Sequence, residues 1–181
     1  MSLSGWILKK AGWTFKVNME LPKKCVIIIA PHTSNWDFVL GELAIHSVGI
    51  KAGFLMKDSW FFFPIGNILK ALGGIPVNRR QHTNLTKSIV KAFNDADTLA
   101  IGITPEGARG PCERWHKGAL FIAKEAKVPL VLAYFDYGKR EACIDREFAQ
   151  SNDPEADMVR IKQYYQGITA KYPKNFVTGL K

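Results

Sequence analysis

The sequence is poor in cysteine and has no long apolar run. Its three cysteines, Cys25, Cys112 and Cys143, are widely spaced and form no Cys-X-X-Cys pair. A sparse, odd set of this kind excludes a disulfide framework and favours a reduced, cytoplasmic protein. No apolar stretch approaches the length of a membrane span, and the N-terminus has no signal-peptide core. We therefore expect a soluble or peripheral protein without a transmembrane helix.

Several motifs that identify enzyme and binding classes are also absent. The sequence contains no Gly-X-Ser-X-Gly elbow, Walker loop, Gly-X-Gly-X-X-Gly or His-Glu-X-X-His. Its four histidines form no cluster with cysteine at ligand spacing, so we predict no metal site. No nucleic-acid-binding module is recognisable either. The net charge of +9 therefore favours an anionic membrane surface or a phosphorylated substrate over nucleic acid.

Residues 1–24 form a basic segment that also contains tryptophan. Lysine outnumbers acidic residues in this segment, and Trp6 and Trp13 lie among the lysines. Lysine interleaved with tryptophan is typical of a membrane interface, and it fits a solvated terminus equally well. We divide the chain into this segment, with possible contact to the anionic inner face of a membrane, and one domain over residues 25–181.

Strand-like and helix-like patterns alternate after residue 24. Apolar runs of strand length are followed by segments with an apolar face at helical spacing. This alternation predicts one α/β domain with a mixed, mainly parallel sheet flanked by helices. The predicted strands are 25–30, 52–56, 75–78, 98–103 and 128–135, and the predicted helices are 35–48, 65–72, 85–93, 117–126 and one starting at 153–154.

A histidine and an aspartate lie at the turn between the first predicted strand and the first predicted helix. His32 follows the apolar run 25–30, and Asp37 falls in the first turn of the helix. The carboxylate can therefore reach back to the imidazole and fix its tautomer, as in a base with an orienting partner. The same residues fit a capping box with Ser34 as the N-cap, and spacing alone leaves both interpretations open. His116 is an alternative base, although no carboxylate lies at a convenient spacing from it.

Two later loops carry candidate binding residues. Arg79 stands at the end of a predicted strand, where a guanidinium suits a phosphate through paired hydrogen bonds. The loop 104–110 contains one proline and two glycines, so its backbone is expected to turn tightly and lie exposed. Within it, Glu106 can accept hydrogen bonds from hydroxyls and Arg109 can hold a phosphate, on either side of Gly107. Each loop, taken alone, also fits a solvated surface turn.

Taken together, these stretches resemble the phospholipid/glycerol acyltransferase family, which includes 1-acylglycerol-3-phosphate acyltransferases. That family carries four ordered blocks, and four in order at suitable spacing are far more specific than any one of them. Ala108 stands where the family usually has threonine. The counterparts are His32 with Asp37 for His-X4-Asp, 74–79 for the glycine-led strand ending in arginine, 105–109 for Pro-Glu-Gly-Thr-Arg, and 128–131 for the apolar Val-Pro strand.

The resemblance implies a glycerol-3-phosphate acyltransferase-like fold and an acyltransferase domain over residues 25–181. It implies acyl transfer from a thioester, acyl-CoA or acyl carrier protein, to a hydroxyl of a glycerol phosphate or lysophospholipid. No metal or cofactor is implied beyond that thioester co-substrate. The implied catalytic residues are His32 and Asp37, and the implied substrate-binding residues are Arg79, Glu106, Gly107 and Arg109.

The aromatic run at 60–63 keeps a second class of function open. Four successive aromatic residues have no amphipathic period, so some rings should face outward, to line an acyl pocket or enter a bilayer. A cluster of rings in the core is the alternative. A lipid-surface binding protein without catalysis would use these rings and the basic N-terminal segment. A thioester hydrolase, which would use His32 and Asp37 to activate water, is the other alternative.

Overall fold

The computed structural model describes residues 2–49, 52–77 and 82–180, and their helices and strands alternate along the chain. The helices are α1 (Leu3–Lys10), α2 (Trp36–Ser47), α3 (Ile65–Ala71), α4 (His82–Asp95), α5 (Gly118–Ala126) and α6 (Pro154–Tyr165). The strands are β1 (Thr14–Val17), β2 (Lys24–Ile29), β3 (Ala52–Lys57), β4 (Gly74–Val77), β5 (Leu99–Ile103), β6 (Leu130–Asp136) and β7 (Glu141–Glu147).

These strands form one mixed sheet in the order β1-β7-β6-β2-β5-β3-β4. The pairs from β6 to β4 are all parallel, whereas β7 runs antiparallel to β6 and carries β1 parallel to itself at the edge. The strands from β6 to β4 therefore run one way, and β7 and β1 run the other way. This arrangement confirms the predicted α/β domain with a mixed, mainly parallel sheet.

Helices cover both faces of the sheet, and the central strand β2 is apolar on both of its sides. Val26 and Ile28 pack in the core beneath α4, α5 and α6, whereas Cys25 and Ile27 point to the opposite side. On that side, α1 and α2 contribute Leu8, Leu40 and Ala44 to the core. A strand buried on both faces reads as a continuous apolar run, as β2 does.

The register of β2 and β5 determines where the chemistry lies. The two strands are parallel neighbours, with Ile28 opposite Ile103. The loops that follow them therefore leave the same edge of the sheet side by side. This places the loop that contains His32 beside the loop that contains Glu106, as the carboxyl ends of parallel strands require.

The N-terminal segment contributes α1 and β1 to this architecture. β1 pairs with β7 from Thr14 opposite Glu141 to Val17 opposite Ile144, and Leu8 is buried. The domain boundary at residues 24 and 25 stays a prediction. In the described part of the chain, no helix is both long and apolar enough to cross a membrane.

The sequence patterns did not predict α1, β1 or β7. β7 has charged residues at both ends, and three consecutive buried residues, Ala142, Cys143 and Ile144, hide any alternation of period two. The interpretation of the aromatic run as a core cluster was wrong for most of its rings. Trp60, Phe62 and Phe63 are exposed, and Phe63 is 85% exposed.

Candidate active site

His32 and Asp37 lie in contact at the carboxyl end of β2. The His32 Nδ1 atom is 3.2 Å from the Asp37 Oδ2 atom. The aspartate side chain is 2% exposed and the histidine side chain 23% exposed, so the imidazole stands between a buried carboxylate and solvent. With Nδ1 directed at the carboxylate, Nε2 is the nitrogen that can take a proton from a substrate.

The Asp37 carboxylate is held by hydrogen bonds on both oxygens. Oδ2 accepts from the backbone N–H groups of Thr33 and Ser34, each at 2.9 Å. Oδ1 accepts from the Tyr137 hydroxyl at 2.7 Å. Burying a carboxylate is costly unless donors replace its water, and these three donors meet that need.

The same contacts correct the predicted helix cap. α2 begins at Trp36 with Asn35 as its N-cap, and the Asn35 side chain makes no capping hydrogen bond. The Ser34 hydroxyl instead accepts from the Trp36 N–H at 3.1 Å. Asp37 reaches back to the Ser34 N–H, as the acidic residue of a capping box does. One carboxylate therefore supports the start of the helix and orients His32.

Glu106 connects the loop after β5 to the loop after β2. Its side chain is buried, and Oε1 accepts from the His32 backbone N–H at 2.6 Å. Burial raises the pKa of Glu106 to about 7, although the hydrogen bond from His32 lowers it in part. The two buried carboxylates therefore hold different parts of His32: Asp37 its ring and Glu106 its backbone.

Gly107 is required by its backbone conformation and by its neighbour. Its φ is +69°, in the left-handed region that favours glycine. A Cβ atom at this position would lie 2.6 Å from Cδ2 of His116. The His116 backbone N–H donates to the Pro105 carbonyl at 2.7 Å, which keeps that ring against the loop. The structure thus places His116 at the backbone of the loop 104–110.

Arg109 lies at the amino end of α2. Its Nη1 donates to the Asn35 side-chain oxygen, two residues before Asp37. The Asn175 side-chain nitrogen donates to the Arg109 carbonyl at 3.2 Å. The structure therefore brings Arg109 together with His32, Asp37 and Glu106. Arg79, the other predicted phosphate ligand, lies outside the described residues.

The segment after α6, residues 166–180, is called here the C-terminal segment. It makes hydrogen bonds to the loop after β2 and to the turn between β6 and β7. The Tyr172 N–H donates to the Thr33 hydroxyl at 3.2 Å, and the Tyr137 N–H donates to the Thr169 carbonyl at 2.8 Å. The Lys171 Nζ atom lies 4.9 Å from the centre of the Trp36 ring. Sequence reasoning missed these residues, because they lie far along the chain from His32 and belong to none of the four blocks.

Comparison with known proteins places this chain in a family. A model of the family described as Acyltransferase matches residues 12–135, well over half of the chain. The chain belongs to this acyltransferase family, which confirms the resemblance seen in the four blocks. A search of curated proteins found no match.

A solved structure supports the same fold. The chain is similar to the crystal structure of the 1-acyl-sn-glycerophosphate acyltransferase PlsC from Thermotoga maritima, with a TM-score of 0.56. The match covers 89% of this chain and 74% of that chain, at 16% sequence identity. At this identity the likeness concerns the fold.

Proposed function

We propose that this protein transfers an acyl group from a thioester to a hydroxyl of a glycerol phosphate or lysophospholipid. The observation that carries the proposal is the contact between His32 and the buried Asp37, beside Glu106 and Arg109, in a member of the acyltransferase family. The acceptor class is supported by the likeness to a structure named as a 1-acyl-sn-glycerophosphate acyltransferase. The donor is acyl-CoA or acyl carrier protein.

The chemistry begins with removal of a proton from the acceptor hydroxyl. An alcohol is a poor nucleophile until a base takes its proton, and neutral His32 does this through Nε2. The hydroxyl oxygen then forms a bond to the thioester carbonyl carbon, and the carbon–sulfur bond breaks. The proton passes from His32 to the departing thiolate. Asp37 orients the ring and stabilises the imidazolium during this transfer.

Charged side chains position the acceptor. Arg109 and Arg79 hold its phosphate, and correct placement contributes several kcal/mol, up to roughly 10, to the lowered barrier. Arg109 already lies near Asp37 through its hydrogen bond to Asn35. Glu106 uses Oε1 for the His32 backbone, so its second oxygen is the one that would accept from another acceptor hydroxyl. Gly107 places no Cβ atom against the His116 ring.

Exposed apolar side chains support contact with the anionic inner face of a membrane. Trp60, Phe62, Phe63 and Ile68 project from the segment between β3 and the end of α3. Together with the net charge of +9, they fit a peripheral membrane protein. Replacing Phe62 and Phe63 by serine should weaken sedimentation with phosphatidylglycerol vesicles, whereas Phe121→Ser, an exposed phenylalanine on α5, should not. Equal sedimentation of both variants would contradict this proposal.

One assay separates the proposed reaction from its two alternatives. Release of free thiol from acyl-CoA and acyl carrier protein is measured with glycerol 3-phosphate, lysophosphatidate and other lysolipids, and without any acceptor. Acyl transfer predicts thiol release that depends on a phosphate-bearing acceptor and yields its ester. Thiol release without an acceptor would identify a hydrolase. Vesicle binding with no thiol release under any condition would identify a lipid-surface binding protein.

A further inference from the structure

Tyr137 lies at the start of the turn that joins β6 to β7, outside the residues matched by the family model. Its hydroxyl donates to Asp37 Oδ1 at 2.7 Å, across 100 residues of sequence. We propose that Tyr137 is a positioning residue for the catalytic pair, which holds the Asp37 carboxylate in the orientation that directs His32. This inference rests on the proposed acyl transfer, and it assigns a role to a residue that no block of the family contains.

The two carboxylate oxygens of Asp37 have different hydrogen-bond partners. Oδ2 accepts from two backbone N–H groups and faces His32 Nδ1 at 3.2 Å. Oδ1 accepts from Tyr137. A carboxylate rotates readily about its bond to Cβ, because that torsion has broad minima. The Tyr137 hydroxyl fixes Oδ1 and so keeps Oδ2 between the two amides and the imidazole.

Tyr137 is itself held from three directions. Its backbone N–H donates to the Thr169 carbonyl at 2.8 Å. Its ring meets the Trp13 ring edge-on, with centroids 4.9 Å apart. The Lys171 ammonium lies 5.9 Å from its centre. A side chain fixed in this way loses little further freedom when it donates to Asp37, as a positioning residue requires.

The Tyr137 hydroxyl remains a donor at neutral pH. Burial raises the pKa of this phenol, and its hydrogen bond to Asp37 raises the pKa further. The phenol therefore keeps its proton and does not take the one that His32 removes from the acceptor. A purely structural role, in which the ring fills space beside Trp13, would need the ring and not the hydroxyl.

Replacing Tyr137 by phenylalanine separates the hydroxyl from the ring. Because hydrogen bonds to charged groups are among the strongest in proteins, we expect Tyr137→Phe to lower kcat about tenfold or more. The KM for both substrates should stay unchanged. The melting temperature should fall, because buried Asp37 loses one of its three donors, and circular dichroism should show that the variant remains folded at the assay temperature. Tyr134→Phe is the matched control, since Tyr134 lies on β6 three residues before Tyr137 and its hydroxyl donates to Glu141 at 2.8 Å. This control should keep full kcat. Equal kcat in the wild type and Tyr137→Phe would overturn the proposal.

A second background tests whether Tyr137 acts through Asp37. In the Asp37→Asn protein the oriented carboxylate is already lost, so adding Tyr137→Phe should lower kcat by less than about twofold. A further tenfold loss in that background would show that the hydroxyl acts independently, against the proposal.

A spectroscopic readout keeps this test distinct from the test of acyl transfer. The imidazole N–H proton of His32, hydrogen-bonded to Asp37, should give a low-field proton resonance that is absent in Asp37→Asn. The proposal expects that resonance to shift or broaden in Tyr137→Phe and to persist in Tyr134→Phe. An unchanged resonance in Tyr137→Phe would overturn the positioning role. Failure of the proposed function would appear separately, as a wild-type protein without acyl transfer.

Discussion

Two buried carboxylates contact His32, Asp37 from the first turn of α2 and Glu106 from the loop after β5, but they meet different parts of it. Asp37 contacts the ring and receives hydrogen bonds from two backbone amides and a tyrosine hydroxyl. Glu106 contacts the backbone N–H, and burial raises its pKa to about 7. Burial alone therefore does not define the role of a carboxylate. That role depends on the number of donors to the carboxylate and on the part of His32 that it contacts.

The largest effect should come from His32 and Asp37. His32→Ala and Asp37→Ala should each lower turnover by roughly 100-fold or more, because the acceptor hydroxyl loses its oriented base. Thiol release in the presence of the acceptor measures turnover, and circular dichroism checks that each variant is folded. Near-normal turnover in a folded His32→Ala protein would remove the basis of the proposed mechanism.

Glu106 should instead affect stability as a function of pH. In the unfolded chain this carboxyl ionises near 4.5, whereas its pKa in the folded protein is about 7. Between these values the folded state binds more protons, so the free energy of unfolding falls as the pH rises. Because Glu106→Gln cannot ionise, it should remove about 3 kcal/mol of this decline, measured by urea unfolding at pH 4.5 and pH 8.

Glu42→Gln separates the effect of a buried carboxyl group on stability from an effect on catalysis. Burial raises the pKa of Glu42 to about 7 as well, and Glu42 lies on α2 near His46. Its replacement should also reduce the decline in stability with pH, and it should leave kcat unchanged. If Glu106→Gln lowered kcat as much as Asp37→Asn, the two carboxylates would share one role and the comparison would fail.

Gly107 tests the geometry of the loop after β5. An alanine there would take a left-handed conformation and place Cβ against the His116 ring. We expect Gly107→Ala to lower the free energy of unfolding by about 1 to 2 kcal/mol, measured by urea unfolding. Adding His116→Ala should restore the part due to the steric contact and not the part due to the backbone. Full restoration would show that backbone strain contributes nothing.

Arg109 should affect substrate binding more than turnover. Arg109→Ala removes a charged hydrogen bond to the acceptor phosphate. It should therefore raise the KM for glycerol 3-phosphate about tenfold, with a smaller change in kcat. Arg114→Ala, an exposed arginine in the following loop, is the control and should leave this KM unchanged. An effect of Arg109→Ala on the KM of the acyl donor alone would contradict the proposed phosphate contact. The same expectation applies to Arg79.

The local parts of this arrangement could be predicted from the sequence. The spacing of His32 and Asp37 at a strand-to-helix turn correctly indicated that the carboxylate reaches back to the ring. The strands from β2 to β6 were predicted because their apolar runs are continuous. The hydrogen bond from Tyr137 to Asp37 could not be predicted, because it depends on β6 lying beside β2. Sequence spacing does not determine the order of strands in a sheet.

The contacts of two asparagine side chains also could not be predicted from the sequence. Asn35 meets Arg109, and Asn175 meets the Arg109 backbone, although the spacing of these asparagines from Arg109 predicts neither contact. The strand β7 was missed for a related reason, since its pairing with β6 depends on tertiary context more than on intrinsic propensity.

The C-terminal segment has a consequence for how the protein is made. During synthesis the residues matched by the family model, 12–135, emerge well before Thr169, Tyr172 and Asn175. Those three residues bind Tyr137, Thr33 and the Arg109 backbone. A nascent chain can therefore carry every family block and still lack the bonds that hold the loops together. The site is completed only when these late residues leave the ribosome and dock.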